Sequence, residues 1–125
     1  MCIRDRIVDD SKTMRVILGR ILRELEFEVQ EASDGREALA LLATKSQPDV
    51  ALVDWNMPEM NGFELVQAVR ANRAFDNIRL MMVTTETERA HVAKALEAGA
   101  DEYVMKPFTK DAIRDKLALL GVVEG

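Results

Sequence analysis

Val50-Ala51-Leu52-Val53-Asp54 is four apolar residues closed by a carboxylate. A run this short, with no polar alternation, reads as a strand buried on both faces, which is what a parallel sheet covered by helices requires. The same pattern recurs along the chain. Ile7-Val8 runs into Asp9-Asp10, Leu80-Met81-Met82-Val83 into Thr84, and Tyr103-Val104-Met105 into Lys106. As parallel strands, these runs would bring their polar ends to one edge of the sheet, where they would build an acidic, cation-binding pocket.

The segments between the runs read as helices. Met14, Ile17, Leu18, Ile21, Leu22 and Leu25 repeat at i, i+3, i+4, i+7, the spacing of an amphipathic helix facing a core, with Ser11 placed to cap it. Phe27 to Ala32 alternates in the manner of a half-covered or edge strand, and Ser33-Asp34-Gly35 turns into a helix from about Arg36 to Thr44. Phe63, Val66 and Val69 mark a third helix, expected to end near Ala71, after a polar loop containing Pro58, Asn61 and Gly62. His91 to Ala98 is helical but Ala-rich, so it is expected to be the least firmly packed, with Gly99 as its stop. Thr109 caps a last helix carrying Ile113, Leu117 and Leu120. Five strands alternating with five helices predict an α/β fold, a single doubly wound five-stranded parallel sheet.

The 125 residues allow one domain around one sheet, and no output domain is expected beyond it. With 48% hydrophobic and 31% charged residues the chain has the composition of a soluble protein, and no apolar stretch nears the ~20 residues that span a bilayer. One cysteine, Cys2, cannot form an internal disulfide, and no signal segment is present, so a cytoplasmic location is expected with no membrane contact. A net charge of -5 with scattered Lys and Arg argues against nucleic-acid binding.

Three carboxylates at neighbouring strand ends, Asp9, Asp10 and Asp54, repel: two unit charges 4 Å apart cost about 4 kcal/mol at an effective dielectric near 20. A hard cation with oxygen ligands, Mg²⁺, is the natural neutraliser, since it keeps waters that a phosphate can replace. An Asp-Asp pair alone is more often a solvated helix cap. Joined to Asp54 and Lys106 at matching strand ends, it favours a site.

Ile7-Val8-Asp9-Asp10-Ser11, the segment Asp54-Trp55-Asn56-Met57-Pro58-Glu59-Met60-Asn61-Gly62, Val83-Thr84 and Lys106-Pro107-Phe108 together resemble the receiver domain of two-component response regulators, in particular the stand-alone chemotaxis type. The resemblance runs from Ile7 onward and implies a flavodoxin-like strand order of 2-1-3-4-5. It implies that Asp54 accepts a phosphoryl group from a histidine kinase. It further implies Mg²⁺ held by Asp10 directly, by Asp9 through a water, by Asp54 and by the carbonyl of Asn56, with Lys106 stabilising charge on the transferred group. Thr84 would then move toward the phosphoryl group and Tyr103 swing inward behind it, altering a surface made by the fourth helix, last strand and last helix. Asn56 and Glu86 would tune hydrolysis of the acyl phosphate, and a cis peptide would join Lys106 to Pro107. The implied partners are a histidine kinase, the flagellar motor switch protein and a phosphatase, met by a monomer with no independent enzymatic substrate. A relay intermediate or phosphate sink would share the pocket and differ only in partner.

Without the resemblance, Thr84 reads as a β-branched strand end, Tyr103 as a half-buried aromatic, and Asn56 and Glu86 as solvated loop residues. A haloacid-dehalogenase-type phosphatase would want Asp-x-Asp after the first strand, where this chain has Asp9-Asp10-Ser11. A flavin or nucleotide carrier would need a Gly- or Ser/Thr-rich phosphate loop, and none follows a strand.

One stretch departs from the pattern. Arg4-Asp5-Arg6 places three charges where a doubly covered strand should be apolar. Residues 1–6 are therefore expected to be non-native sequence standing in for an apolar strand start, with the packing of the first strand disturbed.

Overall fold

Parallel pairing of five strands in the order β2-β1-β3-β4-β5 forms the centre of the computed structural model, which describes residues 4–9, 11–44, 48–55, 60–85, 92–106 and 108–121. In chain order the elements are β1 (Arg4–Val8), α1 (Lys12–Glu24), β2 (Glu28–Ala32), α2 (Gly35–Thr44), β3 (Val50–Asp54), α3 (Gly62–Arg70), β4 (Arg79–Thr85), α4 (Val92–Ala98), β5 (Glu102–Lys106) and α5 (Lys110–Leu119). The alternation expected from the apolar runs is present throughout, and so is the 2-1-3-4-5 order.

Side-chain alternation along the strands splits the core in two. Ile7, Leu52, Met81, Val83 and Val104 pack with Leu18 and Leu22 of α1 and with Ile113 and Leu117 of α5. Val8, Val53, Leu80 and Met82 pack on the other face with Leu42 of α2, with Leu65, Val66 and Val69 of α3, and with Ala95 of α4. All five residues of β3 are buried, as a central strand covered on both faces must be.

Caps fix where the helices begin. Ser11 accepts from the Met14 amide, Thr109 from the Ala112 amide, and Asn61 forms a reciprocal capping box with Glu64. In α1 the inward face is narrower than the apolar periodicity implies. Leu18 and Leu22 are buried, whereas Ile17 is 43% and its neighbour Val16 49% exposed. A short 3₁₀ turn, Arg73–Phe75, capped by Asn72, was not expected.

As anticipated for α4, only Ala95 of that helix is fully buried. Its C-terminal end is tied down from α3 instead. Arg70 donates from Nε to the Gly99 carbonyl at 2.9 Å, from Nη1 to the Phe75 carbonyl at 3.1 Å, and from Nη2 to the Ile78 carbonyl and the Asp101 carboxylate at 2.7 and 2.9 Å. Gly99 has φ +122°, and a Cβ there would lie 2.4 Å from Arg70 Cγ. Gly99→Ala is therefore expected to cost at least 1–3 kcal/mol from backbone strain alone, read as a lowered denaturant midpoint.

The charged start of the first strand does pair, contrary to what its composition suggests. Arg4 to Val8 align with Glu28 to Ala32 on one side, and Asp5 to Val8 with Val50 to Val53 on the other. Backbone hydrogen bonds on both edges hold it in the sheet whatever its side chains. The penalty falls on Arg6, which is 1% exposed on the α2–α3 face. Its Nη2 donates to Gln30 Oε1, while Nε and Nη1 have no partner among the described residues. Burial pushes the Arg6 guanidinium below its ordinary value, a sign that the charged form is disfavoured there.

Candidate functional site

The pocket is built where three strands end. Asp9 directly follows β1, Asp54 closes β3 and Lys106 closes β5. Alternation from Ile7, Leu52 and Val104 gives all three the α1/α5 face of the sheet. Lys106 Nζ donates to Asp54 Oδ1 at 3.0 Å and lies 3.9 Å from Asp9 Oδ2. One ammonium thus serves two carboxylates that are themselves buried, Asp54 being 5% and Asp9 1% exposed.

Local structure holds each group. At Asp9 the chain leaves the sheet in a tight turn: the Asp9 amide donates to the Ala32 carbonyl at 3.1 Å, and Asp9 Oδ1 accepts from the Ser11 amide at 2.8 Å. This side-chain-to-backbone turn delivers Ser11 to its capping position at the start of α1. At Asp54 the constraint comes from below. The Gly62 amide donates to the Trp55 carbonyl at 2.9 Å, and a Cβ on Gly62 would lie 2.5 Å from the Asp54 carbonyl oxygen. Only glycine lets α3 start this close beneath the carboxylate-bearing strand end. Trp55 is buried beside Phe63, with ring centroids 6.0 Å apart. Met14, Ile17 and Phe108 wall the hollow next to Lys106, which gives the exposed Ile17 a place at the mouth of the pocket.

Thr84 is buried in β4, one residue beyond Val83, the partner of Asp54 in register. It alternates to the opposite face, the one shared by Met82 and Tyr103. Tyr103 is half-buried in β5, with Lys116 Nζ 4.6 Å from its ring centroid and Lys116 also 3.2 Å from Glu102. The structure thus brings Asp9, Asp54 and Lys106 together on one face and sets Thr84 and Tyr103 on the other. Asp10, Asn56 and Glu86 lie outside the described residues, as does Pro107 with its expected cis bond.

The donor set suits Mg²⁺. Carboxylate oxygens of Asp9 and Asp54 on adjacent strands are hard ligands, and no thiol or imidazole competes nearby among the described residues. Asp9 Oδ2 is buried and beyond hydrogen-bonding distance of Lys106. No cluster of three metal-ligating side chains occurs among the described residues, and Asp10 is not one of them. Nor is any described helix long and apolar enough to cross a membrane.

Two contributors escaped the sequence reading. Gly62 was visible only as part of a turn, not as the residue that admits α3 beneath Asp54. Arg15, which donates to the Asp9 carbonyl, carried no signal at all, because its partners come from two other elements.

A family model described as response regulator receiver domain matches residues 6–118. The chemotaxis protein CheY1 of Helicobacter pylori is 45% identical over 115 residues, covering 91% of this chain and 93% of that protein. A chemotaxis protein CheY homolog of Campylobacter jejuni is 46% identical over 121 residues, covering 95% and 93%. The solved structure of Vibrio cholerae chemotaxis protein CheY4 superposes with a TM-score of 0.86 at 36% identity, covering 98% of this chain and all of that one. With a matching family model over most of its length and relatives this similar, the chain belongs to the response regulator receiver family.

Proposed function

We propose that this chain is a single-domain response regulator of bacterial chemotaxis that accepts a phosphoryl group on Asp54 from a histidine kinase and thereby changes a surface read by other proteins. The observation that carries the reading is the 3.0 Å hydrogen bond from Lys106 to Asp54, with Asp9 on the same ammonium, in a buried pocket at the strand ends. As a receiver, the chain is a signalling regulator and not a metabolic enzyme.

In the transfer, a carboxylate oxygen of Asp54 forms the new bond to phosphorus as the bond from phosphorus to the donor imidazole nitrogen breaks. The imidazole leaves with the electron pair and takes up a proton. Lys106 holds one Asp54 oxygen in place beforehand and presents positive charge to the oxygens of the arriving group. Asp9, Asp10, Asp54 and the Asn56 carbonyl would hold Mg²⁺, which when bound supplies further positive charge to those oxygens. Thr84 and Tyr103 would carry the response across the sheet to α4, β5 and α5, a shift between two packings biased by the added charge. Asn56 and Glu86, two residues beyond Asp54 and Thr84, would set how long the acyl phosphate survives against water, so that phosphoryl acceptance and dephosphorylation would be the domain's autocatalytic activities.

The names of the relatives support a role in chemotaxis. In that role the target would be a flagellar motor switch protein, and a phosphatase would reset the signal. A cytoplasmic monomer would suit that task. The test is intact mass over time after mixing with a small-molecule phosphodonor, with and without Mg²⁺. Addition of one phosphoryl group only when Mg²⁺ is present is expected; no addition in either condition would refute phosphoacceptance.

Mg²⁺ at a hundred times its Kd is expected to stabilise the fold by about 2.7 kcal/mol if it binds the native chain alone. Thermal melting with and without the ion reads this directly. An equal shift in an Asp10→Ala variant would take the metal out of this pocket.

A further inference from the structure

Arg15 stands behind the acidic turn, in the first turns of α1. Its Nη1 donates to the backbone carbonyl of Asp9, and its Nε lies 3.2 Å from Glu31 Oε1 near the end of β2. The Arg15 side chain is 16% exposed and that of Glu31 40%, so the fork reaches inward and is held from outside. Asp9 is thereby fixed at three points: its amide by Ala32, its carbonyl by Arg15, and its Oδ1 by the Ser11 amide. The carbonyl held by Arg15 belongs to the planar peptide that leads into Asp10.

We propose that Arg15, braced by Glu31, is a positioning residue for the cation site: through the Asp9 carbonyl it fixes the turn that follows β1, and with it the aim of the Asp9 carboxylate. This rests on the reading that the carboxylates of the pocket hold Mg²⁺. Two effects of Arg15 on a nearby cation oppose each other. Its positive charge repels the ion, while its hydrogen bond organises the ligands. Glu31 pairs with the guanidinium and offsets much of that repulsion, so the organising effect wins.

Calorimetric titration of the full chain with Mg²⁺ decides the point, using the wild type, Arg15→Met, Arg15→Lys and Glu31→Gln. Arg15→Met is expected to raise the Kd for Mg²⁺ tenfold or more, roughly the effect of losing a group that orients a ligand. Simple Coulomb repulsion predicts the reverse, tighter binding once the positive charge is gone. Arg15→Lys keeps the charge but lacks the planar fork that spans carbonyl and carboxylate, so it should recover only part of the affinity. Glu31→Gln should weaken binding in the same direction by less, as loss of a negative charge alone also would. If Arg15→Met does not fold, Arg15→Lys decides the matter, because charge alone predicts wild-type affinity for it, and wild-type affinity overturns the proposal. A folded Arg15→Met variant that binds Mg²⁺ as well as or better than wild type overturns the proposal, even if its melting temperature has fallen.

Hydrogen exchange in metal-free protein provides the second arm. The Asp9 and Ser11 amides should lose protection in Arg15→Met well beyond any change at Leu52 in the central strand. Should the wild type itself bind no Mg²⁺, the metal reading fails, and exchange alone judges the brace: a uniform change across Asp9, Ser11 and Leu52 overturns it.

Discussion

Asp54→Asn is expected to take up no phosphoryl group from a small-molecule donor in Mg²⁺, its intact mass staying at the starting value while the wild type gains one group. The amide keeps the shape of the carboxylate but not its anionic oxygen, and the bond to phosphorus needs that electron pair. The fold has little reason to fail. The backbone of Asp54 stays paired in β3, Lys106 can still donate to an amide oxygen, and Asp9 remains 3.9 Å from the ammonium. Removing one of two buried carboxylates also relieves repulsion that Lys106 only partly offsets. Its melting temperature should stay within a few degrees of the wild type. Undiminished labelling of the variant would move the acceptor to another side chain and end the case for Asp54.

The second large effect concerns stability. Arg6→Leu is expected to stabilise the chain by about 1–4 kcal/mol, the range of gains when buried ionic groups give way to well-packed apolar ones. Arg6 is 1% exposed, faces Leu42, Leu65, Val69 and Leu80, and leaves two guanidinium nitrogens without partners among the described residues. Leucine would meet the same walls with no donor to satisfy. The one loss is the hydrogen bond to Gln30, whose half-buried amide can turn to water instead. The guanidinium stays charged at any working pH, so the gain should not vary with pH across the neutral range. At roughly 4 °C per kcal/mol for a domain of this size, the melting temperature should rise by about 10 °C. A fall, or no change, would mean that Arg6 is satisfied by groups beyond the described residues and that the charged strand start is native to this fold.

The legible parts of this molecule were those encoded in contiguous residues. Val50 to Val53 could only be a doubly covered strand, and the polar residues at the strand ends fall at one edge of the sheet because parallel pairing aligns them. Ser11 and Thr109 capped the helices they were expected to cap, since a cap and its amide lie three residues apart. Contacts between distant segments were another matter. Ile17 has the spacing of a core residue, yet it is exposed, while Leu18 and Leu22 are buried and Ile21 and Leu25 pack partly against the same core. Arg15 and Glu31 are sixteen positions apart on different elements, and nothing local marks them as partners of Asp9. The start of β1 reads poorly for the opposite reason. Pairing on both edges overrules side-chain composition, so Arg6 enters the core despite its charge.

The division of the core by the sheet has a practical side. Asp9, Asp54 and Lys106 hang over the layer formed with α1 and α5, while Thr84 and Tyr103 belong to the layer formed with α2, α3 and α4. Residues that are neighbours in sequence, such as Leu52 and Val53, therefore answer to different layers. On the proposed roles, an engineer could repack around Leu18 to touch the layer beneath Asp9 and Asp54, and around Val66 and Ala95 to touch the layer beneath Thr84 and Tyr103, with α5 left alone because it would serve both.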